Sequence, residues 1–354
     1  MITRRKTKMI FVGKVPIGGD SPIAVQSMTK TKTADISVTV RQIRSLEAAG
    51  CEIIRLAVPD INAAKALSKI KKFIKIPMVA DIHFDWRLAI EAIKQGVDGL
   101  RINPGNIGAK WKIQEIVSAA QEKEIPIRIG VNAGSLERDI LREYGHPVPK
   151  AIVESAERHI SLFEEMNFTN IKVSLKASDV PRTVEAYRIF SERNDYPLHI
   201  GISEAGPPPN GLIKSSVGLG ILLSEGIGDT IRVSLTATPE EEVKAAYGIL
   251  AALGLRQRGI DIISCPTCGR CRIDLQKLAK KVESRLRKVR SPLKIAVMGC
   301  VVNGPGEARE ADFGIAGTNG RGIIFRKGRI VRQVTEAELL DALLKEISNT
   351  QIQR

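Results

Sequence analysis

The chain has 354 residues and a formal net charge of +15, and 43% of its residues are hydrophobic while only 4% are aromatic. This length holds either two domains or one large domain with a smaller one, and the apolar content excludes a disordered chain. The positive charge predicts an anionic partner, but the scarcity of aromatic side chains weighs against single-stranded nucleic acid, whose bases stack on such side chains.

The amino-terminal residues 1–10 are basic, but the apolar run that follows them is too short for an export signal. No later run is long enough for a membrane-spanning helix. We therefore expect a cytoplasmic protein, in whose reducing environment free thiols serve as metal ligands more often than they form disulfides.

One unit recurs up to about residue 250: a short β-branched run, a polar or glycine-rich loop, and an amphipathic helix. The predicted strands are 23–29, 52–58, 77–83, 99–104, 126–132, 170–176, 198–204 and 230–236. Predicted helices between them include 37–49, 61–73, 86–95, 180–192 and, behind a capping box at Thr238, 239–253. This alternation favours a (β/α)8 TIM barrel over residues 1–255, with a doubly wound open sheet as the alternative.

Several predicted strands carry a cation, although barrel strands are buried on both faces and should be almost entirely apolar. These cations are Arg55, Arg101, Arg128, Lys176 and Arg232, with Asn103, Asn132 and Ser234 beside them. In one interpretation they pair with acids such as Asp81 and Glu204 in a structural network. In the other they line the mouth at the carboxyl ends of the strands and bind a multiply charged anion such as a diphosphate. The excess of cations over carboxylates favours the second interpretation.

Three further features are predicted near the same mouth. The segment 206–216 ends at a helix amino terminus, whose free N–H groups are phosphate donors. Glu204 ends the seventh predicted strand, where a carboxylate either transfers a proton or only orients neighbouring lysines. His83 and His199 fall near the mouth in this register, although lone histidines are more often hydrogen-bonded core residues.

A small α/β domain is predicted for residues 256–354. Its strands are 259–264, 294–299 and 313–317, followed by a hairpin over 322–334 that turns at Lys327 and Gly328. A basic helix is predicted at 272–289, and a capping box at Thr335 begins a last helix that ends near residue 348.

Four of the five cysteines follow predicted strands of this domain: Cys265, Cys268, Cys271 and Cys300. Short gaps in one loop let several thiolates converge, which suits a soft metal centre, and we predict an iron–sulfur cluster. A tetrahedral zinc site and unliganded core thiols remain alternatives. On spacing alone, Cys271 is favoured as a cluster ligand, because its two-residue gap after Cys268 is common in ferredoxins.

Five stretches together resemble the family of bacterial 4-hydroxy-3-methylbut-2-enyl diphosphate synthases, and the resemblance runs nearly end to end. They are QSMTKTKT at 26–33, LRINPGN at 100–106, RIGVNAGS at 128–135, SCPTCGR at 264–270 and GCVVNGPGE at 299–307. The resemblance implies the two-domain form, a TIM barrel followed by a small α/β iron–sulfur domain. It implies reductive ring opening and dehydration of 2-C-methyl-D-erythritol 2,4-cyclodiphosphate in the non-mevalonate route to isoprenoids.

The resemblance also implies the parts of the site. A [4Fe–4S] cluster delivers two electrons singly from reduced flavodoxin or ferredoxin, and a head-to-tail homodimer closes each barrel mouth with the partner's cluster domain. The implied cluster ligands are Cys265, Cys268, Cys300 and Glu307, which leaves Cys271 as an additional thiol. The implied diphosphate ligands are Arg55, Arg101, Arg128, Asn132, Lys176, Arg232 and Ser234. Glu204 matches the acid/base glutamate, and Glu307 also serves catalysis because a carboxylate leaves iron more readily than a thiolate.

Two rival functions remain open on the sequence. A zinc- or cluster-stabilised nucleic-acid-binding protein would use the positive charge without catalysis. A barrel aldolase or synthase acting on a phosphorylated sugar would use Lys176 as a Schiff base and keep the metal domain for structure.

Overall fold

A computed structural model describes residues 2–287, 289–300, 308–317 and 320–351. Its contacts divide the chain into two compact units, Met1–Arg256 and Gln257–Arg354. Within the part that the structure describes, no helix is both long and apolar enough to cross a membrane.

The first unit is a barrel of parallel strands, which confirms the predicted (β/α)8 fold and excludes the open sheet. Its strands, in chain order, are β3 (Ala24–Met28), β4 (Ile53–Ala57), β5 (Met78–Ile82), β6 (Gly99–Ile102), β7 (Ile127–Asn132), β8 (Ile171–Lys176), β9 (His199–Ile200) and β10 (Thr230–Ile231). Hydrogen bonding follows the order β8-β7-β6-β5-β4-β3-β10-β9. A bridge between Val173 and Leu198 joins the first and last of these strands and closes the ring.

Helices fill the connections between the barrel strands. They are α1 (Ile36–Ala49), α2 (Ile61–Lys71), α3 (Trp86–Lys94), α4 (Pro104–Ile107), α5 (Lys110–Glu122), α6 (Arg138–Tyr144), α7 (Pro149–Glu164), α8 (Val180–Arg193), α9 (Asn210–Ser224) and α10 (Pro239–Ala252). Aspartates cap α1, α2, α3 and α8 by accepting backbone N–H groups of the first turn. The predicted capping box of α10 is present, since Thr238 and Glu241 each accept the other's backbone N–H.

The seventh and eighth predicted strands are much shorter in the structure than the seven residues that each pattern suggested. Only His199–Ile200 and Thr230–Ile231 form a regular ladder, although Arg232 N still donates to Ile200 O at 3.0 Å. Gly201 explains the departure, because a Cβ there would lie 2.4 Å from Arg232 O. The backbone segments after Ile200 and Ile231 therefore approach each other more closely than two strands with side chains at these positions could.

An amino-terminal hairpin was not predicted. Strands β1 (Ile10–Val12) and β2 (Val15–Ile17) pair antiparallel around Gly13. Ile10, Val12 and Ile17 are buried in one apolar cluster with Ala24, Ile53 and Val79, which lie at or near the beginnings of barrel strands. The hairpin therefore covers the amino-terminal end of the barrel.

The second unit is a five-stranded sheet in the order β11-β12-β13-β14-β15. Its elements are β11 (Ile260–Ser264), α11 (Leu275–Leu286), β12 (Leu293–Met298), β13 (Phe313–Gly317), β14 (Arg321–Arg326), β15 (Arg329–Thr335) and α12 (Leu339–Gln351). The first three strands are parallel, and β14 and β15 form the predicted hairpin. Lys327 and Gly328 both have positive φ at its turn, as a two-residue hairpin loop requires.

Candidate functional site

A row of charged residues crosses four neighbouring barrel strands. The register pairs Asp81 with Arg101, Arg101 with Arg128, and Arg128 with Lys172, on β5, β6, β7 and β8. All four are at most 5% exposed. Such side chains are rarely buried without partners, so their partners decide whether they serve the fold or a ligand.

Asp81 is the carboxylate around which two of the cations gather. Its Oδ1 accepts a hydrogen bond from Arg101 Nη1 at 3.2 Å, and its Oδ2 lies 3.5 Å from Arg55 Nε. Burial opposes ionisation of Asp81, but the charge of Arg55, a hydrogen bond with His83 and the charge of Arg101 together hold its pKa well below the usual range. The structural-network interpretation therefore accounts for Arg55 and Arg101 in part.

Arg128 has no comparable partner in the part of the chain that the structure describes. It is 4% exposed, and its Nε and Nη1 have no hydrogen-bond acceptor among the described residues. Burial and the neighbouring charges of Arg55 and Arg101 lower its pKa well below the usual value. An unpaired guanidinium in this position costs stability, which is understandable if a ligand supplies the missing acceptors.

The excess positive charge extends to β8 and β10. Burial, followed by the charge of Arg128, lowers the pKa of Lys176 well below its ordinary value and that of Lys172 to about 7. Arg232 follows β10; burial lowers its pKa, while the carboxylate of Glu242 opposes the change. The Nζ of Lys172 and the Nε of Arg232 have no acceptor among the described residues.

Two glycines make room for these cations. A Cβ on Gly130 would lie 2.5 Å from Arg101 Nε, and a Cβ on Gly201 would lie 2.8 Å from Lys176 Nζ. Any side chain at Gly130 would displace the guanidinium that donates to Asp81. Both glycines are therefore needed for the observed positions of Arg101 and Lys176, and sequence reasoning did not identify them.

The predicted polar residues lie around this cation group. Asn132 ends β7 in register with Lys176, and Ser234 lies two residues after Arg232; both are half-buried. Asn103 Nδ2 donates to Ser135 Oγ at 2.9 Å, which ties together the loops after β6 and β7. These positions at the carboxyl ends of strands are where barrel enzymes bind their substrates.

Glu204 and the two histidines have three different environments. Glu204 is exposed, and its φ of 51° is in the left-handed region that non-glycine residues seldom adopt. His83 follows β5, and its Nε2 lies 3.1 Å from Arg101 Nη1. His199, predicted near the mouth, begins the short strand β9, is fully buried and shares a hydrogen bond between its Nδ1 and Thr230 Oγ1 at 2.8 Å. Burial, followed by the charges of Arg128 and Lys176, lowers its pKa well below the usual value, so His199 lies close to the same cations.

Beneath the cations lies a cavity of about 10 Å³, lined in part by Val12, Gln26, Arg128 and Lys172. Its volume suits one water molecule. Sequence reasoning missed Lys172, although the alternation of Lys172, Ser174 and Lys176 along β8 is visible in the sequence and indicates that all three face the barrel interior.

In the second unit, the cysteine loop meets the loop after β12. Gly299 N donates to Cys265 Sγ at 3.4 Å, and Arg272 N donates to Gly299 O at 3.0 Å. Cys271 packs so closely here that a Cβ on Gly299 would lie 2.4 Å from its Sγ. The ends of two parallel strands thus bring Cys265 and Cys271 next to Gly299, the residue before Cys300.

The four cysteines of this unit differ in exposure. Cys268 is exposed, and a backbone hydrogen bond with Arg270 lowers its pKa, whereas Cys265, Cys271 and Cys300 are half-buried; none is in a disulfide. Among the described ranges, no three histidine, cysteine or acidic side chains are arranged as a metal site. Glu307, predicted as a ligand, lies outside the described residues.

The predicted helix at 272–289 begins later than expected. α11 starts at Leu275 because Asp274 caps it, accepting from Lys277 N at 3.1 Å. Cys271 therefore lies in the loop before the helix, where its Sγ is 3.3 Å from Ile273 O.

Comparison with solved structures supports the barrel fold. Dihydropteroate synthase from Yersinia pestis aligns with a TM-score of 0.51 and 13% identity, covering 70% of this chain and 98% of that one. The enzyme from Stenotrophomonas maltophilia aligns with a TM-score of 0.51 and 11% identity, covering 70% and 98%. At this identity the likeness concerns the fold alone.

Family models and curated relatives cover both units. The GcpE TIM-barrel domain matches residues 7–247, and the GcpE protein C-terminal domain matches residues 261–349. A relative from Thermodesulfovibrio yellowstonii is 64% identical over 98% of this chain and 99% of its own length, and one from Geobacter sulfurreducens is 59% identical over 97% and 98%. Both relatives are named 4-hydroxy-3-methylbut-2-en-1-yl diphosphate synthase (flavodoxin). With its barrel and its carboxyl-terminal domain each matched, the chain belongs to the GcpE family.

Proposed function

We propose that the chain converts 2-C-methyl-D-erythritol 2,4-cyclodiphosphate to 4-hydroxy-3-methylbut-2-enyl diphosphate. The conversion takes up two electrons and two protons, breaks one carbon–oxygen bond to the ring phosphate and releases one hydroxyl group as water. The relatives' names supply the product and name flavodoxin, and the cyclodiphosphate substrate is the one that the family resemblance implies. The observation in this chain that carries it is Arg128, whose buried Nε and Nη1 have no acceptor among the described residues and match the oxygens of a diphosphate.

In this proposal, residues 1–255 bind the substrate. The diphosphate ligands are Arg55, Arg101, Arg128, Asn132, Lys176, Arg232 and Ser234. Substrate oxygens would replace the acceptors that Arg128 and Arg232 lack, and their negative charge would raise the lowered pKa values of the buried cations. Helix α9 begins at Asn210 in the predicted segment 206–216 and has no side-chain cap, although Gly211 N already donates to Pro207 O at 2.8 Å; its remaining first-turn N–H groups would be further phosphate donors.

Glu204 is the proposed proton donor or acceptor. It follows β9 at the carboxyl end of the barrel and is exposed, so it can reach both substrate and solvent. Its left-handed backbone supports a functional role, because strained conformations of non-glycine residues concentrate at active sites.

Residues 256–354 would hold a [4Fe–4S] cluster through Cys265, Cys268, Cys300 and Glu307. The donor chemistry fits, since soft free thiols at the adjoining ends of β11 and β12 are typical iron–sulfur ligands. When bound, the cluster would pass electrons to the substrate one at a time, received from reduced flavodoxin or ferredoxin. Glu307 would serve catalysis as the weaker ligand, Cys271 would remain outside the ligand set, and a head-to-tail homodimer would bring together one cluster domain and the partner's barrel.

The test is anaerobic turnover of the cyclodiphosphate with a dithionite-reduced mediator. We expect product from brown protein that contains about four iron and four sulfide per chain. Colourless protein with about one zinc and no turnover would favour the nucleic-acid-binding alternative. Borohydride trapping of substrate on Lys176 would favour the aldolase alternative; its lowered pKa suits a Schiff base, but its place among other cations favours anion binding.

A further inference from the structure

Helix α11 has one apolar and one basic face. Val282 and Leu286 are buried in the core of the second unit. Lys277, Lys280 and Lys281 are exposed on the opposite face. Residues 270–290 contain nine lysines and arginines against two acidic residues, so this face carries a strong net positive charge.

The basic face contributes little to folding. Lys277 and Lys281, and Lys281 and Arg285, are like-charged pairs four residues apart, and each such pair destabilises a helix by about 0.2–0.5 kcal/mol. Arg285 lies 3.9 Å from Asp341. Within the described ranges, the structure records no ion pair for Lys277, Lys280 or Lys281, so these side chains are available to a partner.

The same charge continues into the cysteine loop. Arg270 and Arg272 are exposed on either side of Cys271. Arg270 forms a hydrogen bond with Cys268, and Arg272 N donates a hydrogen bond to Gly299 O, next to Cys300. From Leu275 to Lys281 the helix rises only about 9 Å. We call Arg270, Arg272, Lys277, Lys280 and Lys281 the basic strip.

The chemistry of this unit disfavours nucleic acid as the occupant of the strip. Residues 257–354 contain no tryptophan or tyrosine, and the phenylalanines Phe313 and Phe325 are both buried. A single strand therefore finds no aromatic surface on which to stack its bases. An acidic protein needs no such surface, because complementary charge alone steers a weak electron-transfer encounter.

We propose that the basic strip is the docking surface for an acidic electron-transfer protein of the flavodoxin type. This inference rests on the proposed function, in which two successive one-electron transfers supply each turnover. A donor on the strip lies beside the thiol loop, so its redox centre needs only a short path to the metal. Because the contact is electrostatic, it forms quickly, dissociates readily and weakens with salt.

The test compares two variants with the same change in net charge. One reverses the strip as Lys277→Glu, Lys280→Glu and Lys281→Glu; glutamate is a good helix former at such exposed sites. The control is Lys65→Glu, Lys69→Glu and Lys72→Glu, which changes exposed lysines in or directly after α2 of the barrel. Each variant is assayed with reduced flavodoxin and with a small dithionite-reduced mediator, and its Kd for oxidised flavodoxin is measured at low and high salt.

For the strip variant we expect at least a tenfold rise in the flavodoxin KM and Kd at low salt, with mediator-driven turnover near that of the unchanged protein. The control should keep both constants within about twofold. Equal constants in the two variants would overturn the docking surface, as would a duplex DNA that binds the strip more tightly than flavodoxin. Absence of mediator-driven turnover in the unchanged protein would contradict the proposed function instead, and the Kd comparison would still decide the docking question.

Discussion

Replacing Arg128 by methionine should stabilise the ligand-free protein and disable it. The change removes a buried charge and two N–H groups without acceptors among the described residues. Each unsatisfied buried donor costs about 1–3 kcal/mol, so the free energy of unfolding should rise by about that amount or more, and Tm by several degrees. The same two donors, bonded to phosphate oxygens, would contribute about 3–6 kcal/mol, and kcat/KM should fall by about a hundredfold to ten-thousandfold.

The matched variant is Asp81→Asn, which removes the carboxylate that pairs with Arg55 and Arg101. Removing one partner of a buried ion pair lowers the free energy of unfolding by about 3–5 kcal/mol, so Tm should fall, and activity should fall with it. Calorimetry without ligand in a phosphate-free buffer, beside the anaerobic assay, measures both quantities. If Arg128→Met lowers Tm by several degrees and leaves kcat/KM unchanged, Arg128 belongs to a structural network and the anion-site argument is refuted.

Glu204→Gln should lower turnover by about a hundredfold with substrate still bound, and near-normal turnover would remove this residue from the mechanism. Glu204→Gly should be equally inactive but keep its Tm, because glycine adopts the observed φ freely. Gly130→Ala should raise the substrate Kd at least tenfold by displacing the Arg101 guanidinium, and an unchanged Kd would show that the position of this guanidinium does not matter for binding. The pKa of Lys172 is about 7 in the folded protein and higher when unfolded, so the unfolded chain binds more protons between about pH 7 and 10 and stability should rise with pH there; Lys172→Met should reduce that slope in denaturation curves. Anaerobically purified Cys271→Ser protein should keep its iron and sulfide, and colourless protein would instead make this thiol a ligand.

Much of the barrel could be predicted because its local signals agree. Beta-branched runs coincide with β3 to β8, and the capping box of α10 lies where the sequence indicated. Arginines inside apolar runs also identified Arg101 and Arg128 as unusual before their surroundings were known. What a single segment could not reveal was which of them Asp81 neutralises, because that depends on the register of neighbouring strands.

Other features depend on close approach between distant residues. The lengths of β9 and β10 follow from the contact of Gly201 with the backbone of Arg232. The hairpin β1–β2 consists of two three-residue strands, too short for a periodic pattern. The thiol arrangement likewise depends on Gly299, which leaves room for Cys271 because it has no side chain. That requirement is not visible in the sequence around Gly299.

The amino-terminal hairpin has an electrostatic consequence for the opposite end of the barrel. Val12 lines the one-water cavity beneath Arg128 and Lys172, so the hairpin limits how much solvent lies under the cations. The energy between a cation and a phosphate varies inversely with the local dielectric constant, and a dry floor keeps that constant low. Under the proposed function, residues far from the mouth would thus influence how strongly the cations bind their anionic ligand. Loosening the hairpin would let water screen the charges from below and weaken binding without touching any ligand contact.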